Sequence, residues 1–284
     1  MKPPPFQYHD PKTLAEAVGL LGTLENAKLL AGGQSLMPML NMRFVLPDHV
    51  IDLNLVEGMS GIKESSGALE IGAMTRQRDL EFSDLVKAKC PLLHQAIMHI
   101  GHRQTRNRGT IGGSLCHLDP AAELVSVCAA HDATVTVAGP DGTRELAFAD
   151  FPAGYLTPAI ELNEIVTTIR IPLWPAGHKA AFVEFARRHG DFAIAAVTVV
   201  ILREGEGCAR ARIATAGISS RSERLRAAEQ VLERHGLGEG AIARPAEAAA
   251  AMVEPLSDRQ ASAAYRRQLT QVLTERAMRR AAAA

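Results

Sequence analysis

Two short segments, Ala31-Gly32-Gly33-Gln34-Ser35 and Thr110-Ile111-Gly112-Gly113-Ser114, decide how this chain is read. Each sets adjacent glycines before a serine and opens an apolar stretch. Adjacent glycines let a backbone take positive φ and approach a ligand with no Cβ in the way. Successive N–H groups in such a turn form an anion-binding nest, and a helix starting just beyond adds its positive end. One such segment by itself reads as an ordinary tight turn, because glycine marks turns freely. Two of the same make, far apart in sequence, read as two jaws on one pyrophosphate, which points to a dinucleotide such as FAD. On that reading a valine at Gly33 or Gly113 occupies the place of the pyrophosphate and ends FAD binding.

The length of 284 residues calls for two or three subdomains rather than one core. Apolar residues make up 47% of the chain but aromatics only 4%, so the cores are built of Leu, Ala, Val and Ile. With 31 basic and 31 acidic residues the formal net charge is zero, which leaves no global field to gather nucleic acid or an anionic membrane. The longest apolar run, 193–202, is too short to span a bilayer. Met1-Lys2-Pro3-Pro4-Pro5 lacks the apolar centre of a signal peptide, so the cytoplasm is the expected compartment. Cys90, Cys116, Cys128 and Cys208 are dispersed and form no C-x-x-C, whereas iron–sulfur clusters and structural zinc gather their thiolates. Any metal centres that exchange electrons with this chain are therefore expected on another polypeptide.

Asp10-Pro11 reads as an N-cap with proline at the first helical position, opening an amphipathic helix to about residue 24. A strand over 28–31 feeds the first glycine segment, Ser35 caps a brief helix over 36–41, and a strand follows at 49–53. These make an α/β subdomain over 1–55. Ile62-Lys63-Glu64 and Ala68-Leu69-Glu70-Ile71-Gly72 read as strands paired across a Ser-Ser-Gly turn. Helices are expected at 76–88, 92–100 and 121–130, and Gly139-Pro140-Asp141-Gly142 turns a hairpin between 134–138 and 143–147. A strand over 164–171 stops at Pro172 and ends a second subdomain over 56–174. Pro and Gly then cluster in Leu173-Trp174-Pro175-Ala176-Gly177, where the pattern resets. Beyond it, strands at 181–187, 193–203 and 209–217 precede helices at 221–235, 245–252 and 260–280, an α+β module over 175–284.

Arg103, Arg106 and Arg108 precede the second glycine segment; they suit a phosphate-bearing ligand, but as individual side chains they read more readily as a solvated basic turn. Asp119, ahead of Pro120, is either the N-cap of the next helix or a carboxylate that accepts from ribose or ribityl hydroxyls. His94, His99 and His102 do not share one helical face and have no carboxylate patterned with them, so no metal site is read there. Cys116 reads as a buried, inert thiol, and Met37, Met39 and Met42 as core around the first segment. Arg266, Arg267, Arg276, Arg279 and Arg280, mixed with Glu275, read as a solvated helix face. Neither G-x-x-x-x-G-K-[ST] nor G-x-G-x-x-G occurs.

Ala31-Gly32-Gly33-Gln34-Ser35-Leu36 together with Arg106-Asn107-Arg108-Gly109-Thr110-Ile111-Gly112-Gly113-Ser114 resembles the FAD-binding medium subunit of the molybdenum hydroxylases. That group contains carbon monoxide dehydrogenase and bacterial xanthine dehydrogenase-like enzymes. Arg188-His189-Gly190-Asp191-Phe192-Ala193 resembles the family's third marker, and the resemblance covers nearly the whole chain. It implies an α+β fold: two N-terminal α/β subdomains clasping FAD (the PCMH-type FAD-binding fold) and a C-terminal domain of three-stranded antiparallel sheet with helices. It implies further that Ala31, Gly32, Gly33, Gln34, Ser35 and Leu36 line FAD from one side and Thr110, Ile111, Gly112, Gly113 and Ser114 from the other. Asp119 would then lie near the sugar chain, and Asp191 and Phe192 near the isoalloxazine ring. The implied partners are a large molybdopterin subunit that hydroxylates substrate and a small iron–sulfur subunit that passes electrons to this FAD, in a dimer of heterotrimers. The chain itself would be an oxidoreductase subunit. Two other readings stand beside this one, a self-contained flavin oxidoreductase and a scaffold subunit that no longer binds nucleotide.

Overall fold

The computed structural model of the chain describes residues 1–205, 207–238 and 240–284. Its first unit is a parallel sheet of β1 (Gln7–His9), β2 (Ala27–Leu30) and β3 (His49–Asp52) in the order β1-β3-β2, with α1 (Leu14–Thr23) following β1 and α2 (Leu36–Asn41) following β2. The cap of α1 is Thr13 and not Asp10: the Thr13 hydroxyl accepts the Glu16 N–H at 3.2 Å. Glu16 reaches back to the Lys12 N–H at 2.9 Å, so a Thr-x-x-Glu pair satisfies donors on both sides of the helix start. Asp10 is turned instead to Lys12.

The second unit contains β4 (Ile62–Ser65), β5 (Ala68–Gly72), six short helices, β6 (Thr134–Gly139), β7 (Gly142–Ala147), a small hairpin of β8 (Pro152–Gly154) and β9 (Thr157–Pro158), and β10 (Ile165–Pro172). The sheet is antiparallel in the order β4-β5-β10-β6-β7. Its helices are α3 (Gln77–Phe82), α4 (Asp84–Lys89), α5 (Pro91–Ile97), α6 (Arg103–Arg108), α7 (Ile111–His117) and α8 (Glu123–Ala130). The single helix expected over 76–88 is broken at Ser83, which takes extended backbone (φ −69°, ψ 117°) and caps α4 by accepting the Val86 N–H at 3.2 Å. A serine hydroxyl competes with the helical ladder in this way. Leu69, Ile71, Val135, Val137 and Ile169 form one wholly buried sheet face, in a core with Leu92, Leu93, Leu115 and Leu124 of the helices.

The third unit is an antiparallel sheet of β11 (Lys179–Phe185), β12 (Ala195–Glu204), β13 (Gly207–Ala216) and a two-residue β14 (Glu223–Arg224), in that order, followed by α9 (Arg226–His235), α10 (Ala243–Met252) and α11 (Ala263–Ala283). β12 is covered on both faces. Ala196 and Val200 join the core of the second unit, while Ala195, Val197, Val199 and Ile201 pack with Leu232, Ala249, Leu273 and Ala277 from α9, α10 and α11. Burial of both faces erases polar alternation, which is why 193–202 is apolar but for Thr198, whose buried hydroxyl donates to the Ala214 carbonyl. No helix among the described residues is long and apolar enough to cross a membrane.

Arg266 is not part of a solvated face. It is 5% exposed, and its guanidinium donates to the carbonyls of Ile194 and Gly217 and pairs with Asp258. It lies on the buried stripe of α11 with Leu269, Thr270 and Leu273, so helical periodicity points it inward. Arg267, Arg276, Arg279 and Arg280 are exposed. Arg266→Met leaves two buried carbonyls without a donor and is expected to cost about 3 kcal/mol. Arg279→Met on the same helix should stay within about 0.5 kcal/mol. Chemical denaturation of the two variants checks the contrast.

Candidate cofactor site

The first glycine segment turns away from the end of β2. Gly33 takes positive φ (71°), whereas Gly32, Gly112 and Gly113 do not. Those three are glycines because of close approach. A Cβ on Gly32 would run into the Arg108 carbonyl and lie 2.8 Å from the Gly109 Cα. A Cβ on Gly112 would sit 2.6 Å from the Ala73 Cβ, and one on Gly113 would sit 2.8 Å from Thr110 Oγ1 and 3.5 Å from the Ala31 Cβ. The two segments therefore meet face to face, backbone against backbone.

The second segment is a helix start rather than a loop. Thr110 is the N-cap of α7, and its hydroxyl accepts the Gly113 N–H at 3.1 Å. The other amides of that turn are also engaged: Ile111 donates to the Thr75 carbonyl, Gly112 to Ala73 and Ser114 to Thr110. In the first segment the amides of Gly32, Gly33, Gln34 and Ser35 find no acceptor among the described residues. The jaws thus differ: one offers free N–H donors, and the other a bare, hydrogen-bonded surface.

Arg76, which sequence reading missed, braces the jaws. Its guanidinium donates to the Asn54 side-chain oxygen and to the Arg108 carbonyl, while the Asn54 amide donates to the Ala31 carbonyl at 2.9 Å. One strut thereby runs from the first segment to the residue just before the second. Arg106, read as solvated, is buried at 5% exposure, pairs with Glu81 at 2.8 Å and donates to the Ile100 carbonyl at 2.9 Å. Arg103 and Arg108 are exposed.

Between the jaws lies a cavity of about 430 Å³. All of Ala31, Gly32, Gly33, Gln34, Ser35 and Leu36 line it, as do Thr110, Gly112, Gly113, Ser114, Asp119 and Phe192. Ile111 does not; it is wholly buried beneath the helix start. Asp191 does not either, being exposed on the turn between β11 and β12, where its N–H bonds the Arg188 carbonyl. That turn rests on the second unit at Gly190 (φ 88°), where a Cβ would fall 2.8 Å from the Gly101 carbonyl oxygen. It carries Phe192, 62% exposed, to the cavity.

Asp119 is not the cap of α8, a place Ala122 holds; its Oδ1 accepts the Ala121 N–H at 2.8 Å and its Oδ2 has no protein partner among the described residues. Gln77, another wall residue, has a buried Oε1 without a partner. Cys116 lies in the wall, and burial pushes its thiol up to about 12, which makes it inert. Met39 lines the cavity and Met37 packs beside Gly33, but Met42 is half exposed. Glu123, also in the wall, is 7% exposed; burial pushes its carboxyl up to about 8, with Glu184 and Asp119 adding to the rise.

Two unlike backbone jaws closing on one cavity define a nucleotide-clasping α+β protein. Residues 4–174 match the family described as "FAD binding domain in molybdopterin dehydrogenase", and residues 180–281 match the "CO dehydrogenase flavoprotein C-terminal domain". The chain is 40% identical to the 6-hydroxypseudooxynicotine dehydrogenase complex subunit alpha of Paenarthrobacter nicotinovorans, over 99% of this chain and 96% of that one. It is 37% identical to the carbon monoxide dehydrogenase medium chain of Hydrogenophaga pseudoflava, over 98% and 97%. Its structure superposes on carbon monoxide dehydrogenase of Hydrogenophaga pseudoflava, in a form lacking the Mo-pyranopterin moiety, with a TM-score of 0.97 at 39% identity, over 100% and 99% of the two chains. For quinoline 2-oxidoreductase of Pseudomonas putida 86 the TM-score is 0.96 at 34% identity, over 100% and 99%. This chain belongs to the family of FAD-binding medium subunits of molybdenum hydroxylases, and is an oxidoreductase subunit.

Glu123 gives the site a pH signature. Its folded-state carboxyl holds a proton up to about 8, well above the ordinary value of 4.5, so the folded state binds more protons than the unfolded state between these values. Stability then falls as pH rises through that window. The thermal midpoint of the wild-type protein should drop between about pH 5 and pH 8 more than that of Glu123→Gln. Parallel curves for the two proteins would contradict the assignment.

Proposed function

We propose that this chain holds FAD between the jaws and acts as the electron-transferring subunit of a multi-subunit molybdenum hydroxylase. Electrons would arrive from iron–sulfur clusters on a small partner subunit, having left substrate at a molybdenum–pterin centre on a large one, and depart to a terminal acceptor. FAD supplies the reversible acceptance of electrons; the protein binds, orients and excludes.

The observation that carries the reading is the row of free amides at Gly32, Gly33, Gln34 and Ser35, which line one cavity together with the hydrogen-bonded helix start at 110–114. Unpaired backbone donors lining a cavity fit a pyrophosphate. The free Oδ2 of Asp119 suits a ribose or ribityl hydroxyl, the unpartnered Oε1 of Gln77 suits a donor on the ligand, and Phe192 offers an aromatic face. Ile111 serves by packing beneath α7 and Asp191 by shaping the turn that presents Phe192. The named relatives are medium chains and complex subunits, which supports an assembly with the two partners, as a dimer of heterotrimers. All four cysteines are free, which suits the cytoplasm. The three larger sheets fall within 1–55, 56–174 and 175–284, which we take as the domain limits.

Gly33→Val is a poor test of this site, because a Cβ there points at Met37 and Leu30 on a strained positive-φ backbone. Gly113→Val would disturb the Thr110 cap. Ser114→Leu fills the cavity from the outer surface of a helix without either defect. Wild-type protein mixed with FAD is expected to acquire a stoichiometric flavin absorption band. Ser114→Leu should bind at least tenfold more weakly at an unchanged apoprotein thermal midpoint. A wild-type chain that stays colourless would overturn the reading, and a lone chain whose flavin is bleached by an organic substrate would favour a self-contained flavoenzyme.

A further inference from the structure

We propose that Asn54 and Gln34 are positioning residues that aim the amides of the first jaw into the cavity, by holding the carbonyls at the opposite ends of the same peptide planes. The inference deepens the FAD reading above and rests on it.

A trans peptide plane points its C=O and its N–H in opposite directions, so fixing one end fixes the other. Three successive planes of the first jaw are held by their carbonyls. The Ala31 carbonyl accepts the Asn54 side-chain amide at 2.9 Å, the Gly32 carbonyl accepts Gln34 Nε2 at 3.2 Å, and the Gly33 carbonyl accepts the Met37 N–H at 3.1 Å. The N–H groups across those planes belong to Gly32, Gly33 and Gln34, and all three lack an acceptor among the described residues. Gly33, at φ 71°, bends the chain between the planes, in the kind of turn where successive N–H groups converge on an anion. All three residues line the cavity. The Gln34 carbonyl accepts no bond among the described residues, because one turn on stands Pro38, which has no N–H. The Ser35 amide is thus the one whose direction no carbonyl fixes.

Asn54 lies outside both glycine segments and does not line the cavity, so contact with a ligand does not account for its bonds. Its amide has one orientation that satisfies its neighbours. The Arg76 guanidinium, which can only donate, takes Oδ1, and this leaves Nδ2 for two acceptors, the Ala31 carbonyl and Asp52 Oδ1. Asp52 also accepts the Asn54 backbone N–H at 2.9 Å and the Tyr8 hydroxyl at 2.6 Å, which anchors the residue from behind. Gln34 does line the cavity, but its Nε2 is turned back onto its own segment. A plane free to rotate can turn its carbonyl into the cavity, where the oxygen repels a phosphate. Planes pinned beforehand present donors only, and binding need not bear the cost of turning them.

The test is amide hydrogen exchange read at single residues by mass spectrometry, on the full protein with its flavin bound and after flavin removal. Asn54→Leu keeps the side-chain size and removes the donor. It should weaken FAD about tenfold, the loss of one hydrogen bond's worth of preorganisation. At saturating FAD it should abolish the flavin-dependent protection of Gly32 while Gln34, held through Met37, keeps its own. Gln34→Met should abolish the protection of Gly33 and leave that of Gly32, a pattern that decides the matter even where Asn54→Leu does not fold. Protection falling together at all the amides of 32–35 in either variant would mark general loosening and overturn the proposal. Wild-type protection of Gly32 in Asn54→Leu and of Gly33 in Gln34→Met, with FAD bound at full stoichiometry, would overturn it too and leave the FAD site standing. Absence of flavin from the wild-type protein would instead overturn the FAD reading itself.

Discussion

The contact of Gly32 with the backbone at Arg108 and Gly109 is the constraint on which the site depends. Nothing larger than hydrogen fits on Gly32, because the second jaw occupies the space a side chain would need. Closing that gap brings a parallel sheet and the helices of an antiparallel one close enough for both to line one cavity. Packing alone does not fix their relative position. Arg76 does so with directed hydrogen bonds, since a guanidinium fork has its donors in one plane and cannot deprotonate to escape them.

The jaws divide the labour. Every first-turn amide of α7 from Ile111 to Ser114 is hydrogen-bonded within the protein, so that surface is rigid before any ligand arrives. The amides of 32–35 are left free, and the carboxyl and amide groups of Asp119, Gln77 and Glu123 stand in the wall with incomplete partners. Such groups lower stability in the folded protein and are recovered when a polar ligand fills the cavity, which is how a preorganised site gains affinity. Arg106 with Glu81, and Arg266 with its two carbonyls and Asp258, show the opposite case, with buried charge paired inside the protein and serving architecture.

Much of this was legible in the sequence where a local pattern has one physical meaning. The Gly-Pro-Asp-Gly hairpin, the strand pair across Ser66 and Gly67, and the doubly buried β12 all follow from turn chemistry and apolar runs. The two glycine segments line one cavity, yet the reason for three of the four glycines is contact across the fold rather than positive φ. What stayed hidden was long-range. Arg76, Arg106 and Arg266 look like any surface arginine until tertiary structure supplies Asn54, Glu81 and the Ile194 carbonyl. The caps at Thr13 and Ser83 are the exception, because Thr-x-x-Glu and a mid-helix serine are signals carried by the local sequence alone.

The central claim is that the free amides of the first jaw hold the anionic part of the ligand. Amide hydrogen exchange at Gly32, Gly33, Gln34 and Ser35, with and without FAD, tests it most directly. Binding is expected to add strong protection at these four positions and to change little at 111–114, whose amides are already bonded. FAD bound at full stoichiometry with the four amides exchanging as fast as in the apoprotein would contradict it.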